Sequence, residues 1–431
     1  MLYFSAITVV CIWALQFGVV VMNPVTNIEC DCSATSLESD SSACCVSEFP
    51  MVEPAVRVTF RNVPNTSSII QVKLHSMANF TEIPSQIIDT FENLEYLELT
   101  IGLERLPLTR IPGKLKHLNL SGNRITSVDI DAFLNAPGLD QINLQYNRIS
   151  TLADSGAFVG PNNLKYLILY HNKLTILKRD MFKSAQNLIS LDIGCNEIST
   201  IEDGTFDLPH IKEILMSENK LKTLSDQIFN GAPSVQNIDL QKNLLDHIGK
   251  AFETTTHLHQ LQLSENHHLH DLNVMDLTSK LPELISLSVD ATGIQSLSTN
   301  TATTSITTQS TTSTSIQSPL HTLSISQNHL SQSDFLKQLS AFSKLEKLFV
   351  DANKFTRWDD ADVRSIKKYF PNIELIVTKN NVWDRRWVES TLIPVFQTNN
   401  IFCSNIKYLN TYIEGFTNSI DGQIIEGTEC I

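Results

Sequence analysis

The chain repeats one short arrangement of apolar and polar positions from about residue 94 to residue 383. Its clearest copies begin at Leu115, Leu139, Leu164 and Leu188, at spacings of 24, 25 and 24 residues, and read L-x-x-L-x-L-x-x-N-x-L. Further copies begin at Ile211, Val235, Leu258, Leu284, Leu320, Leu345 and Ile373, and a shorter one without the asparagine begins at Leu94. The alternation within L-x-L predicts a short strand that buries one face.

This arrangement is the leucine-rich repeat at its usual period. The two leucines of L-x-L point inward and the residues between them point outward. A single repeat cannot bury its own apolar face, so the copies stack. The predicted fold class is therefore α/β, a leucine-rich-repeat solenoid, or horseshoe, with a parallel sheet on its concave side. A first strand is expected within residues 69–76, IIQVKLHS.

Two further residues recur in the repeats and predict how each turn closes. An asparagine after the strand should turn inward, where its side-chain amide can satisfy buried backbone groups of the bend. A phenylalanine further along should fill the wider convex side. The asparagines are Asn123, Asn147, Asn172, Asn196, Asn219, Asn243 and Asn266. The phenylalanines are Phe133, Phe158, Phe182, Phe206, Phe229 and Phe252.

Two segments interrupt the repeat. Residues 298–318 are almost entirely serine and threonine and indicate either a tolerated insertion or an O-glycosylated spur. Residues 355–370, FTRWDDADVRSIKKYF, have helical spacing and predict a convex helix.

The N-terminus predicts export from the cell. Residues 1–22 form an uncharged apolar run that is typical of a secretory signal peptide. The run is close to the length that spans a bilayer, so a signal anchor is the alternative. No later apolar run is long enough to span a membrane. We therefore expect a secreted, extracellular protein without a membrane span once the signal is removed.

Cysteines cluster near the two ends of the chain and predict disulfide-stabilised caps. The predicted N-terminal cap spans residues 23–68, the repeats span 69–380 and the C-terminal cap spans 381–431. The cap cysteines are Cys30, Cys32, Cys44, Cys45, Cys403 and Cys430. The adjacent Cys44 and Cys45 should each reach back to Cys30 or Cys32, in an order that the sequence leaves open. Cys195 stands alone as a small apolar residue or as a free or intermolecular thiol.

Composition narrows the class of function. A net charge of −14 and a pI near 5.3 argue against nucleic acid and anionic membrane surfaces as partners. Neither a glycine-rich phosphate loop nor a catalytic motif such as G-x-S-x-G occurs, so we predict neither an enzyme nor a cofactor. Three N-x-S/T sequons predict N-glycosylation at Asn65, Asn79 and Asn119. Asn119 is an outward residue of L-x-L, so its glycan would cover part of the concave face.

A histidine-rich stretch, HLHQLQLSENHHLH, raises the question of a metal. If the repeats stack in register, Asp246 and His247 fall beside His268 and His270, and neutral imidazoles at that spacing could bind zinc or sense pH. Solvated histidines at variable positions are the alternative. We adopt the second interpretation and predict no metal site.

The best candidate for a binding site is an aromatic group at outward positions. Most outward positions of the strands are polar, but one place is not, and Leu215 adds an apolar residue two repeats further on. We call this group the aromatic patch. It comprises Tyr146, Tyr166, Ile168, Tyr170 and His171. Exposed aromatic residues on a rigid surface are typical of protein-binding hot spots. The alternative is that these rings merely pack between repeats.

The two flanks of the repeats resemble those of a known family. The segments PAVRVTFRNVP at 54–64 and KNNVWDRRWVESTLIPVFQTNNIFC at 379–403 are similar to secreted insect leucine-rich-repeat proteins, in particular the short, coil-less members of the leucine-rich-repeat immune family. The chain lacks a heptad-patterned coiled coil. It also has Arg385 and Arg386 about where such caps place a first cysteine.

This resemblance implies a function in recognition. Members of the family are secreted recognition or regulatory proteins, and some of them partner other immune factors. We therefore predict a secreted protein that binds a protein ligand, or another immune or cell-surface protein, in insect innate immunity. The alternative is an adhesion or guidance ectodomain that acts at the cell surface.

Overall fold

The computed structural model describes residues 26–31, 43–46, 56–61, 71–75, 89–106, 111, 113–130, 132–154, 156–298 and 318–404; up to residue 61 it describes the backbone alone. Two compact units make up the chain. The first comprises Met1–Leu215 with Asn230–Ala232, and the second comprises Met216–Phe229 with Pro233–Ile431. No helix within the described ranges is long and apolar enough to cross a membrane.

Short parallel strands form the first unit. In chain order they are β1 (Thr26–Asp31), β2 (Ala43–Val46), β3 (Val56–Arg61), β4 (Gln71–His75), β5 (Tyr96–Thr100), β6 (His117–Asn119), β7 (Ser127–Val128), β8 (Gln141–Asn143), β9 (Thr151–Leu152), β10 (Tyr166–Ile168), β11 (Ile176–Leu177), β12 (Ser190–Asp192), β13 (Thr200–Ile201) and β14 (Glu213–Leu215). One sheet runs in the order β2-β4-β5-β6-β8-β10-β12-β14, and β4 confirms the strand expected within 69–76. The pairs β1–β3, β7–β9 and β11–β13 lie apart from it.

The register of this sheet places equivalent residues of successive repeats side by side. Leu167 of β10 lies opposite Ile142 of β8 and Leu191 of β12, and all three are buried. The residues before and after each of them point outward, which gives the alternating burial that the sequence predicts. An outward side chain therefore has the equivalent residues of the preceding and following repeats as its lateral neighbours.

Strands and short helices alternate in the second unit. The strands are β15 (Asn237–Asp239), β16 (Gln260–Gln262), β17 (Ser286–Ser288), β18 (Thr322–Ser324), β19 (Lys347–Phe349), β20 (Leu375–Val377) and β21 (Phe402–Ser404), and each pairs in parallel with the next. The helices are α1 (Val274–Lys280), α2 (Phe335–Gln338), α3 (Asp360–Arg364), α4 (Ile366–Tyr369), α5 (Arg385–Trp387) and α6 (Ile393–Thr398). A 3₁₀ turn, Leu339–Ala341, follows α2, and a π-helical turn, Val388–Leu392, joins α5 to α6.

The helix predicted within residues 355–370 is present as two short helices, α3 and α4. Asp359 caps the N-terminus of α3. Its carboxylate accepts hydrogen bonds from the N–H groups of Ala361 at 2.9 Å and Asp362 at 3.2 Å. These bonds satisfy N–H groups that have no partner within the helix itself. The helical conformation is interrupted at Ser365, which caps the C-terminus of α3 and the N-terminus of α4.

The asparagines turn inward as predicted, and all seven are buried. In Asn172 the side-chain N–H₂ donates to the carbonyls of Leu144 and Leu169, both at 3.0 Å, and Oδ1 accepts from Ile149 N–H at 2.9 Å. One side chain thus satisfies backbone groups of two consecutive repeats. In the repeat that begins at Leu284 a threonine takes this place, and Thr292 Oγ1 donates to Val289 O at 3.0 Å.

The six recurring phenylalanines are likewise buried. Phe158 stacks between Phe133 and Phe182 at ring-centroid distances of 5.9 and 6.1 Å, and Phe229 stacks on Phe252 at 5.6 Å. Stacked rings on the side away from the sheet occupy volume that aliphatic side chains would leave partly empty. Their burial agrees with the predicted role as filling residues.

Aromatic side chains pack the described part of the C-terminal cap. Trp383 lies against Trp358 and Trp387, with ring centroids 5.1 and 5.6 Å away. The indole N–H of Trp387 donates to Asp360 at 2.7 Å and holds the pKa of that carboxyl below its usual value. At the place of the expected family cysteine, Arg385 pairs with Glu389 at 2.8 Å within the same helical turn.

The predicted disulfides stay predictions. Cys403 is buried in β21. Cys32 and Cys430 lie outside the described residues, as do the side chains of Cys30, Cys44 and Cys45 in β1 and β2. Cys195 is a half-buried free thiol in a turn of the first unit.

Candidate ligand-binding surface

Two members of the aromatic patch lie on strand β10. Tyr166 and Ile168 flank the buried Leu167, so the strand's alternation turns both outward; Tyr166 is 39% exposed and Ile168 is half-buried. On either side of Ile168 lie Asn143 of β8 and Asp192 of β12. An aliphatic side chain therefore lies in a row that is polar on both sides.

Ile168 also lacks a hydrogen bond that three of its equivalents make. Asn119, Asn143 and Asp192 each use Oδ1 to accept the N–H of the second residue after them, at 3.0 Å in all three cases. Such bonds stabilise the turn that leaves the strand. Isoleucine cannot accept a hydrogen bond, so this repeat has exchanged a turn-stabilising group for an outward apolar surface.

The other members of the patch lie in the turns after the strands, where the backbone is left-handed. Tyr146 and His171 each immediately precede an inward asparagine and have φ of 55° and 54°. A residue with a side chain loses about 1–2 kcal/mol in this conformation, and glycine does not. Gly122 holds the same place in an earlier repeat, with φ of 69°. Two large rings thus occupy positions that glycine can fill without strain.

Three rings of the patch contact one another. Tyr146 lies 5.8 Å from Tyr170 with the ring planes at 81°, and 4.9 Å from His171 at 39°. Tyr170 and His171 are 6.2 Å apart. The backbone supports this arrangement, because Tyr146 N–H donates to the carbonyl of Tyr170 at 3.0 Å. These contacts are part of what packing between repeats would give, yet Tyr146 remains 51% exposed and His171 is exposed.

Charges of both signs surround the patch. Exposed Lys165, Lys173 and Arg148 lie within two residues of its members, and on strands β6 to β14 the outward acidic residues are Asp192 and Glu213. His117 Nδ1 lies 3.3 Å from a carboxylate oxygen of Asp140. Glu213 accepts a hydrogen bond from Ser190 at 2.7 Å, on the strand next to β10. Carboxylates thus lie on both sides of strand β10, Asp140 before it and Asp192 after it.

The N-terminal part of the same sheet is polar and internally paired. The phenol of Tyr96 donates to Glu98 at 2.6 Å, and burial together with this bond raises its pKa to about 12. Lys73 lies 3.4 Å from the same carboxylate and over the Tyr96 ring. Asn119 lies half-buried on β6, while the sequons at Asn65 and Asn79 lie outside the described residues.

A second apolar group lies on the outward face of the second unit and was not predicted. In register, Phe349 of β19 lies beside Val377 of β20, and Leu375 of β20 lies beside Phe402 of β21. All four are half-buried. The sequence could have predicted this group, because the strand alternation that places Tyr166 and Ile168 outward also places these four residues outward.

A hydrogen-bond network of serine and aspartate side chains in the second unit was not predicted either. Asp290, at the repeat position equivalent to Tyr170, accepts hydrogen bonds from Ser324 Oγ at 2.7 Å and Ser326 N–H at 2.6 Å. Ser326 Oγ donates in turn to Asp351 at 2.6 Å. Burial raises the pKa of Asp290, although the hydrogen bonds oppose that shift and Asp351 adds to it. The same face is thus polar in the second unit where it is aromatic in the first.

The raised pKa of Asp290 predicts how stability depends on pH. Because the folded pKa exceeds the unfolded value, the stabilisation from proton binding is complete below the unfolded pKa of 3.8 and is lost as pH rises through the folded pKa. Relative to Asp290→Asn, the wild-type protein should gain melting temperature as pH falls from about 7 towards 3.8. Thermal melts of both proteins across that range measure the difference. A difference that stays constant would contradict the assignment.

Four histidines of this region lie close to carboxylates of their own repeat or the next. His247 contacts Asp246 at 2.5 Å, and His270 lies 3.7 Å from Asp271. His257 and His259 lie 3.1 and 3.5 Å from Glu283, and the hydrogen bond from His257 is the largest cause of a lowered pKa of that carboxyl. Within the described ranges no three histidine, cysteine or acidic side chains are arranged to hold a metal ion.

Comparisons with known proteins identify the repeat. The family described as Leucine rich repeat matches residues 113–174, 162–221 and 209–268. A search of curated protein sequences found no significant match. Together with the parallel sheet, the repeat match and the structural neighbours described next show an α/β leucine-rich-repeat solenoid.

Solved structures of immune-type leucine-rich-repeat proteins are similar in fold. The Drosophila Toll–Spatzle complex aligns at 18% identity and TM-score 0.59, over 78% of this chain and 44% of that one. The LRIM1/APL1C complex aligns at 16% and 0.58, over 88% and 68%. The TLR13–ssRNA13 complex aligns at 19% and 0.58, over 75% and 50%. The chain thus spans half or less of the Toll and TLR13 chains, and at these identities the likeness shows the fold alone.

Proposed function

Since the chain folds as a leucine-rich-repeat solenoid, we propose that it is a secreted recognition protein of insect innate immunity that binds a protein ligand through the aromatic patch. The exposed rings of Tyr146 and Tyr166, 51% and 39% accessible on the outward side of an otherwise mostly polar sheet, carry this proposal. The left-handed backbone at Tyr146 and His171 belongs to the bend of every repeat, and what distinguishes these two repeats is the ring placed on it. Here two consecutive repeats place an exposed ring at the strained position.

Exposure and chemistry at the patch also support the proposal. Tyrosine supplies a large, rigid contact area that loses little conformational entropy on binding, and it is enriched at binding hot spots. The patch lies on a sheet with a buried core, so its members are held in place before any ligand arrives. Two of the similar solved structures, Toll–Spatzle and LRIM1/APL1C, are complexes between proteins.

Secretion is the part of the proposal that rests on the apolar run at residues 1–22. Expressed in insect cells, the full chain should appear in the medium, shortened at its N-terminus and sensitive to N-glycosidase. N-terminal sequencing and gel mobility before and after the glycosidase measure this. Retention in the membrane fraction with Met1 intact would indicate a signal anchor and favour a role at the cell surface.

Replacing Tyr146 by glycine tests whether the ring serves binding. The variant removes an exposed ring from a left-handed position, so its stability should rise by up to about 1 kcal/mol. Its affinity for the ligand should fall by about 2 kcal/mol, roughly thirtyfold. Crosslinking capture from the protein's native fluid identifies the ligand, and titration with that ligand gives the affinity.

Gln327→Gly is the matched control. Gln327 also has a left-handed backbone, with φ of 56°, and lies exposed in the second unit. The control should gain similar stability and keep full affinity. If Tyr146→Gly binds the ligand as tightly as the wild type does, the aromatic patch is not the binding surface.

A further inference from the structure

We propose that Arg148, at the edge of the aromatic patch, binds an acidic side chain, aspartate or glutamate, of the protein ligand. This inference rests on the proposed function and names the chemistry of the ligand beside the patch. Three observations in the first unit carry it: a row of cations on successive repeats, the lack of a carboxylate partner for two of them within the described residues, and the uncharged groups on either side of the row.

The residue after each inward asparagine belongs to a row that crosses the repeats. Arg124, Arg148 and Lys173 hold this place in three successive repeats. Arg148 N–H donates to Ile125 O at 2.9 Å and Lys173 N–H donates to Ile149 O at 2.8 Å, so the backbone keeps the three repeats in register. Arg148 and Lys173 are exposed, and Arg124 is half-buried. Because neighbouring strands lie about 4.8 Å apart, two adjacent cations of the row can reach one carboxylate.

This row differs from the way other cations of the chain are neutralised. Several lysines pair with a carboxylate of the preceding repeat: Lys116 with Glu95 at 2.9 Å, Lys178 with Asp154 at 2.8 Å and Lys242 with Glu218 at 3.2 Å. In the described part of the chain, Arg124 and Arg148 have no such partner. Like charges side by side on neighbouring strands are destabilising. Two adjacent arginines in a protein of net charge −14 therefore indicate a place for an anion that the chain itself does not supply.

Carboxylates lie at the two ends of the row. Glu197, in the repeat after Lys173, is 3.5 Å from that lysine. Glu104 belongs to the repeat before Arg124 and is exposed. Charges farther apart than a Debye length, about 8 Å at physiological ionic strength, are largely screened. Arg148 has a cation on each side, so its immediate neighbours in the row leave its charge uncompensated.

The positions before and after Arg148 carry uncharged groups. Ser150 and Thr126 are exposed, and the Ser150 hydroxyl makes a long hydrogen bond of 3.5 Å to Thr126 O. On the other side Tyr146 presents its exposed ring. A carboxylate at Arg148 would thus have hydroxyl donors on one side and the aromatic patch on the other. A guanidinium can donate two parallel N–H bonds to one carboxylate, and a polar rim around an apolar centre is usual in protein interfaces.

Other kinds of ligand group would fit this place less well. A cationic group would meet three like charges within one short row. An apolar group would remove water from Arg124 and Arg148 without replacing the lost hydrogen bonds, which is unfavourable for ionised groups. An acidic group replaces that water and also reduces the repulsion between the two arginines.

The test compares two peptides that differ in charge alone. The full mature chain, isotopically labelled at arginine, is titrated with acetyl-Gly-Glu-Gly-Glu-Gly-amide and with its glutamine analogue, while the side-chain Nε–H resonances of Arg124 and Arg148 are followed by NMR. The glutamate peptide should shift both resonances saturably and bind about two- to fivefold more tightly than the glutamine peptide, as exposed ion pairs imply. Equal affinities, or shifts confined to other arginines, would overturn the proposal.

Two variants separate the local site from net charge. Arg148→Gln, followed at Arg124, should remove most of the preference for the glutamate peptide. Lys354→Gln is the matched control, because Lys354 is exposed and follows Asn353 at the same repeat position in the second unit. It removes the same charge and should leave the preference unchanged. A preference that falls equally in both variants would reflect net charge and contradict a site at Arg148.

Failure of this inference differs from failure of the proposed function. If Arg148→Gln binds the captured protein ligand as tightly as the wild type while Tyr146→Gly binds it more weakly, the aromatic patch is the binding surface and the acidic specificity is wrong. If the preference for glutamate depends on Arg148 while Tyr146→Gly keeps full affinity for the captured ligand, the acid-binding site is present and the proposed role of the patch is wrong.

Discussion

Replacing Asn172 by alanine should lower the free energy of unfolding by about 2–6 kcal/mol. The side chain is 2% exposed and makes hydrogen bonds with Leu144 O, Leu169 O and Ile149 N. Alanine leaves Ile149 N–H without a partner, at about 1–3 kcal/mol. It also removes one of two donors from Leu144 O and from Leu169 O, at about 0.5–1.5 kcal/mol each, because these carbonyls still accept from Asn147 and Asn196. Urea denaturation of the full chain, followed by circular dichroism, measures the loss.

Asn172→Thr provides the graded comparison. In the repeat from Leu284, Thr292 stands where the other repeats have asparagine, and its hydroxyl donates to Val289 O at 3.0 Å. A threonine at 172 should therefore retain one of the three bonds and lose less stability than alanine does. Equal losses for both variants would mean that the volume of the side chain, and not its hydrogen bonding, is what the bend requires.

Substitutions of the buried and of the outward residues of strand β10 and the turn after it should affect different properties, stability in the first case and ligand binding in the second. Leu167→Ala should destabilise the protein by about 2–5 kcal/mol, because the side chain is fully buried between repeats. Tyr170→Ala should change the melting temperature little, but weaken ligand binding by about 2 kcal/mol, roughly thirtyfold. Thermal melts and titration with the captured ligand measure the two quantities on the same samples.

The contrasting result is equally definite. Tyr170 contacts both Tyr146 and His171, so packing between repeats is a real alternative role for its ring. If Tyr170→Ala lowers the melting temperature as much as Leu167→Ala does and leaves binding unchanged, the tyrosines are packing residues. The ligand would then have to bind elsewhere on the protein.

The parts of the fold that depend on side-chain alternation could be predicted from the sequence. Tyr166 and Ile168 point outward and Leu167 points inward because a strand has a period of two, and a repeat copies that register. The inward turn of Asn172 followed from the need to satisfy backbone groups at a buried bend. Strand alternation turns Phe349 and Val377 outward as well. Their apolar surface was not predicted, because the later repeats match the pattern less closely.

Other features depend on details that a repeat pattern does not contain. The sequence placed Tyr146 near Tyr170, but it carried no sign of the left-handed backbone at Tyr146, since most repeats have a residue other than glycine there. The serine/threonine-rich insertion separates Asp290 from Ser324 by 34 residues. The usual repeat spacing therefore did not reveal that these two residues are neighbours in the sheet. The histidines find partners in two ways. His247 contacts the neighbouring Asp246, whereas His257 and His259 contact Glu283 of the next repeat.

The left-handed residue before each inward asparagine has an evolutionary consequence. Tyrosine, histidine, cysteine, glutamate, lysine, alanine and glutamine all occupy this place with φ between 51° and 60°. The bend therefore sets the backbone and leaves the identity of the outward side chain open. A duplicated gene could diverge towards a new ligand by exchanges at these positions alone, each already compatible with the turn, so that specificity could evolve without a passage through unfolded intermediates.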